Sequence, residues 1–140
     1  MNWDKRFLEL AQHVAQWSKD PSTKVGAVIT DLKRRVIGVG YNGFPRSIAD
    51  TPERLLDRET KYRLVVHAEA NAILNATREL DHASLYLTIP PCCGCAKLII
   101  QSGISWVMAS QDAPDRWAKD CAHAIMMLRE AGVTFRFDEP

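Results

Sequence analysis

From His67 to the C-terminus, short aliphatic runs alternate with longer amphipathic stretches, and no other feature of this chain restricts its fold so strongly. The order predicts a helix from His67 through Asn75, a strand over Leu85–Ile89, a helix from Cys93 to Ser102 and a strand over Ile104–Met108. Pro114 then opens a helix that runs to Glu130, Gly132 stops it, and Val133–Phe137 forms a last strand. Strands joined through helices lie parallel, with right-handed crossovers. Such a chain buries a sheet between helical layers.

The first third is organised differently. Trp3, Phe7, Leu10, Val14 and Trp17 recur at steps of three and four, which predicts a helix with that stripe in the core. Pro21 in Asp20-Pro21-Ser22 cannot continue the helix, so a loop follows. Val25–Ile29 and Val36–Tyr41 flank a polar Asp31-Leu32-Lys33-Arg34 reversal and predict an antiparallel hairpin. The Gly- and Pro-rich segment Asn42–Thr51 reads as a loop, and Thr51-Pro52 as the cap and first residue of a short helix over Glu53–Arg58. The fold expected is α/β: three layers, with a five-stranded mixed sheet whose first two strands are antiparallel. A chain of 140 residues, with no linker or repeat in it, is expected to form a single domain spanning 1–140.

Composition excludes several function classes. Apolar residues make up 46% and charged residues 25%, which argues against disorder or a coiled coil. A formal charge of +1 gives no general reason to expect nucleic acid or an anionic membrane as partner. No run approaches the ~20 apolar residues that cross a bilayer, and Met1-Asn2-Trp3-Asp4-Lys5-Arg6 lacks the apolar block of a signal peptide. A cytoplasmic location is expected.

Of the four cysteines, Cys92, Cys93 and Cys95 crowd into four positions, which in a reducing compartment favours metal chemistry over disulfides. Cys92 and Cys95, one turn apart at a helix start, bring two sulfurs within reach of one ion, and the helix dipole favours both thiolates. With the imidazole of His67 they make a three-ligand set suited to Zn2+, which leaves a tetrahedral ion one position for water. Glu69, two residues past His67, points elsewhere and is free to exchange protons with that water, whose pKa zinc lowers to about 7. Cys93 reads as a helix-start residue and Cys121 as a buried apolar one. His13, His82 and His123 have no partner motif, Lys33-Arg34-Arg35 reads as a solvated turn, and Trp3, Trp17 and Trp106 fit core or interface packing.

His67-Ala68-Glu69 followed by Pro91-Cys92-Cys93-Gly94-Cys95 resembles the H-x-E…P-C-x-x-C arrangement of zinc-dependent cytidine and deoxycytidylate deaminases. Ser18–Ala27, Gly40–Pro45, Lys61-Tyr62, His67–Ile73 and Cys95–Gln101 resemble the deoxycytidylate branch, so that the likeness runs from about Trp3 to Phe137. The resemblance implies a cytidine-deaminase-like α/β/α fold and hydrolysis of dCMP to dUMP and ammonia, which supplies precursor for dTTP. A zinc-activated hydroxide would attack C4 while Glu69 carries protons to N3 and to the leaving amine. It further implies that Asn42 bonds the sugar, that backbone near Ala27 and Ala68 frames the base, and that Ser22, Thr23 and Lys24 face the 5′-phosphate. Where relatives carry a closing aromatic this chain has Ala109-Ser110-Gln111, leaving Trp117 as the candidate lid. The family also implies a homo-oligomer, with hexamers among its members, and effectors dCTP and dTTP bound near Gly40, Tyr41, Asn42 and Gly43. The alternatives are a deaminase of another cytosine nucleoside or nucleotide, a tRNA adenosine deaminase, disfavoured by the near-zero charge, and a non-catalytic zinc module.

Overall fold

Five aliphatic runs become strands: β1 (Gly26–Thr30), β2 (Val36–Tyr41), β3 (Ser84–Leu87), β4 (Trp106–Ala109) and β5 (Thr134–Phe137). The computed structural model describes residues 2–139, so Met1 and Pro140, the ends of the expected domain, lie outside the described residues. Strand order is β2-β1-β3-β4-β5. β1 is antiparallel to both β2 and β3, whereas β3, β4 and β5 run parallel. The mixed sheet is therefore the expected one, with β1 reversed between two parallel neighbours.

Helices α1 (Trp3–Ala15), α2 (Pro52–Leu56), α3 (Arg58–Leu64), α4 (Ala68–Leu74), α5 (Cys93–Ser102) and α6 (Ala118–Glu130) complete the fold. The period of two along each strand divides the sheet into two faces. Val28, Tyr86 and Met108 are cross-strand partners that pack on Phe7, Leu8 and Ala11 of α1. Their neighbours Ala27, Ile29, Leu85, Leu87, Val107 and Ala109 point the other way, into a core shared with Ala68 and Ala72 of α4, Ile99 of α5 and Leu128 of α6. Three layers result, with most of the buried apolar surface on the α4–α5–α6 side.

Two glycines set the distance between layers. A Cβ at Gly26 would overlap the Ala11 carbonyl of α1, and one at Gly40 would overlap the Ala68 carbonyl and Ala72 amide of α4. Both helices therefore rest on bare strand backbone. Asn2 caps α1 by accepting the Lys5 amide at 2.8 Å, and Thr51 caps α2 with Pro52 as its first residue. Gly103 (φ 90°) and Gly132 (φ 84°) follow α5 and α6 in the left-handed conformation that glycine adopts without steric cost.

Three expectations need correction. The α1 stripe is displaced: Phe7, Leu8, Ala11, Val14 and Ala15 are buried, whereas Trp3 and Trp17 are 42% and 52% exposed. Small Ala11 and Ala15 must face the sheet because α1 sits against Gly26, and Trp3 and Trp17, at the two ends of the helix, lie off that contact. There Trp3 stacks on Phe7 and Trp17 meets Tyr41 edge-on. The short helix predicted over Glu53–Arg58 is two helices, since α3 begins at Arg58 after Asp57 leaves helical geometry. The helix from Pro114 to Glu130 starts as a 3₁₀ turn over Asp115–Trp117 and becomes α6 only at Ala118.

Candidate metal and active site

The chemistry gathers where two helices begin. His67 is the N-cap residue of α4 and Cys92 that of α5, both with extended backbone, so both side chains project from helix N-termini. Cys92 Sγ lies 3.4 Å and Cys95 Sγ 3.3 Å from His67 Nδ1. A tetrahedral zinc with bonds of about 2.3 Å to sulfur and 2.0–2.1 Å to nitrogen separates such donors by about 3.6 Å. The three donor atoms, all within 4.8 Å of one another, thus fit one zinc ion through Nδ1 of the imidazole. Among the described residues no fourth His, Cys, Asp or Glu joins this group, and Cys93 is engaged elsewhere.

Electrostatics suit the same purpose. The Cys95 thiol, then the His67 imidazole, stabilise the Cys92 thiolate and hold it well below the ordinary range, at about 4. Cys95, sharing its proton with that neighbour, is pushed up. The hydrogen bond with Cys92 raises His67. Glu69 lies on the first turn of α4, is 5% exposed, and burial drives its carboxyl up to about 7. A carboxyl with that affinity both takes and returns a proton near neutral pH.

Beside the ligands opens a cavity of about 260 Å3, lined by His67, Ala68, Glu69, Cys92, Trp117, Asn42, Lys61, Asp20 and others. The structure brings Asn42, Ala68 and Trp117 to this cavity with the metal group. Ala27 is buried in β1 outside the lining, and Ser22, Thr23 and Lys24 also lie outside it. Asn42 is deeply committed: Oδ1 accepts the Val25 amide at 2.9 Å, while Nδ2 donates to the Thr23 carbonyl at 3.0 Å and to Asp20 Oδ2 at 3.4 Å. One lone pair of Oδ1 remains for a ligand. Tyr41, Asn42 and Gly43 line a second hollow of about 160 Å3 together with Trp17, Lys19 and Asp50, whereas Gly40 packs beneath α4.

Several groups were not assigned a role from sequence. Lys61 and Asp20 form a buried ion pair at 3.1 Å in the cavity wall, their side chains 7% and 10% exposed. Lys61-Tyr62 belongs to the segments that carry the family likeness, but a lysine in a polar run gives no sign of burial. Asp120 Oδ2 accepts the Cys93 amide at 2.9 Å and so tethers the start of α5 to α6. Its spacing offers no signal. Cys121 is buried as expected; burial pushes its thiol up to about 11, and it donates to the Pro90 carbonyl.

A family profile described as the cytidine and deoxycytidylate deaminase zinc-binding region matches residues 1–111. The chain belongs to that family. Among relatives of this deaminase family, an uncharacterized deaminase encoded in the luxG 3′ region of Aliivibrio fischeri is 44% identical over 134 residues, covering 94% of this chain and 90% of the relative. The deoxycytidylate deaminase of Mus musculus is 40% identical over 144 residues, covering 97% of this chain and 79% of its own. In fold, the chain matches the dCMP deaminase of cyanophage S-TIM5 solved with dCMP and dUMP, with a TM-score of 0.79 and 23% identity over 96% and 95% of the two chains.

Proposed function

We propose that this protein hydrolyses the 4-amino group of dCMP to give dUMP and ammonia. One observation carries the reading: of three donor atoms grouped at zinc separations, those of His67 and Cys92 line a cavity together with a buried carboxyl raised to about 7. The deoxycytidylate deaminase relative supports the choice of substrate. His67, Cys92 and Cys95 would hold a zinc ion, and the chemistry it would supply when bound is that of a Lewis acid, which lowers the pKa of water to about 7. Glu69 receives the proton at its carboxylate, passes it to N3 of the pyrimidine and later delivers one to the departing amine. Ala68 borders the base and Asn42 offers its remaining lone pair to the sugar hydroxyl. Trp117 covers the cavity, whose apolar wall keeps bulk water from the reacting carbon. In this reading the dUMP formed feeds dTTP synthesis and the enzyme works in the cytoplasm.

Ammonia release from dCMP, deoxycytidine, CMP and cytidine, assayed side by side with zinc-loaded protein, tests the reading. dCMP should give the highest kcat/KM; equal values for dCMP and deoxycytidine, or no turnover of dCMP, overturn it. We extend the reading to regulation. Tyr41, Asn42 and Gly43 line the second hollow, where a triphosphate effector would lie beside Lys19. A homo-oligomer would cover exposed Trp17, Tyr41 and Tyr62. Initial rates against dCMP should be sigmoidal alone, hyperbolic with dCTP and depressed by dTTP; curves indifferent to both remove the regulatory part. Light scattering reads the subunit number.

A further inference from the structure

One contact joins the loop before β1 to the 3₁₀ turn that carries Trp117, a residue of the cavity lining. Arg116, in the 3₁₀ turn, donates through Nη2 to Thr23 Oγ1 at 2.7 Å. Its guanidinium also lies over the ring of Trp117, 4.3 Å from the centroid, and Trp117 lines the cavity. Arg116, itself outside the lining, is thus held beside the cavity by the loop before β1 and by an aromatic residue that lines it.

The other cations near the mouth are differently placed. Lys61 faces the cavity, but its charge is matched by Asp20 at 3.1 Å. Lys24 is exposed and, like Arg116, lies outside the lining, but among the described residues no hydrogen bond or aromatic contact fixes its side chain as those of Arg116 do. The Ser22 and Thr23 amides, which a phosphate would otherwise use, both donate to Asp20 Oδ1, at 2.8 and 3.1 Å. Arg116 differs from Lys61: among the described residues it has no carboxylate partner. A guanidinium stacked on an aromatic face keeps its in-plane N–H groups directed outward, which is the geometry that recognises phosphate oxygens bidentately.

We propose that Arg116, clasped to the Thr23 hydroxyl over Trp117, receives the 5′-phosphate of the substrate and is the residue that makes this site prefer a nucleotide to a nucleoside. The assignment rests on the dCMP reading above. It replaces Lys24 as the charge at the phosphate and keeps Thr23 as its hydroxyl partner. Binding of a phosphate would turn the Arg116–Thr23 contact into a three-way contact, drawing the 3₁₀ turn and Trp117 down over the base.

Measuring kcat/KM on dCMP and deoxycytidine for the wild type, R116Q, R116K and K24Q tests it. Loss of a charge-assisted hydrogen bond predicts that R116Q lowers the dCMP-to-deoxycytidine ratio by about 10- to 150-fold. R116K, which keeps charge without the fork, should recover part of the ratio, and K24Q should leave it within about 2-fold, as expected for a screened surface charge. Calorimetric titration with dUMP and deoxyuridine gives the same comparison without turnover. An unchanged ratio in R116Q, an equal loss on both substrates, or a collapse of the ratio in K24Q overturns the assignment. Failure of the wild type to deaminate dCMP at all overturns the parent reading instead, and the dUMP titration then shows whether Arg116 still recognises phosphate.

Discussion

The cavity has two working corners, built in opposite ways. At the metal corner every group comes from two short motifs at the starts of α4 and α5, and both sulfurs sit 3.3–3.4 Å from the Nδ1 of His67, with His67 and Cys92 as the helix caps. At the opposite corner Asp20, Asn42 and Lys61 arrive from three separate segments, joined by a buried ion pair and an amide whose hydrogens both have acceptors. The first corner needs two local motifs brought together once, whereas the second needs three separate segments. Damage should follow the same division: chemistry fails first at one, structure at the other.

The largest effects are expected at the metal corner. E69Q should retain its zinc and its thermal unfolding while turnover falls by about 10²–10⁴-fold. C92A should lose the metal as well, by elemental analysis, and with it all measurable turnover. Wild-type turnover in zinc-loaded E69Q would remove Glu69 from the chemistry of the metal corner. Next in size is K61M, which strands the Asp20 carboxylate in the cavity wall and should destabilise the protein by about 3–5 kcal/mol in urea unfolding. The double variant D20N/K61M, with no stranded charge, should be more stable than K61M. If K61M unfolds like the wild type, the second corner is not the structural element described.

A pH experiment sharpens the comparison from the metal side. In metal-free protein Glu69 has its folded pKa raised from the ordinary 4.5 to about 7. The folded state therefore binds the proton more tightly than the unfolded one. The stability this contributes is fully present below about pH 4.5 and is lost as pH rises to about 7, for a total of about 3 kcal/mol. E69Q should lack that slope, read as the difference between the two proteins' urea midpoints across the window; parallel curves would count against the buried carboxyl. The smallest effect belongs to neither corner: the Glu59–Arg63 pair on α3 is about three-quarters exposed, and R63A should cost only about 0.3–0.5 kcal/mol, vanishing at high salt.

The two corners also differ in how well the sequence discloses them. The grouping of His67, Cys92 and Cys95 was legible because metal chemistry demands particular residue types at particular spacing within each motif, although only the packing of α4 and α5 joins the two motifs. The β3–α5–β4–α6–β5 order was legible for a similar reason, since burial imposes a period on each element. Lys61 was not, because α3 (Arg58-Glu59-Thr60-Lys61-Tyr62-Arg63-Leu64) has the look of a solvated run and only the partner at Asp20 makes a buried ammonium tolerable. The α1 stripe misled because periodicity counts apolar residues without weighing size. Against Gly26 the helix needs Ala11 and Ala15, not Trp3 and Trp17. Asp120 on Cys93 and Arg116 on Thr23 depend on how the turn before α6 is placed, which no local pattern encodes.

Gly40 beneath α4 has one more consequence. The helix bearing His67 and Glu69 meets strand β2 peptide against peptide, with no side chain in between to compress or repack. The height of the acid above the sheet is thus a hard stop, independent of whatever lines the opening. Surgery on the entrance can alter which molecules are admitted without changing where the Glu69 carboxyl stands, whereas adding a single methyl under the helix would lift that carboxyl from its place.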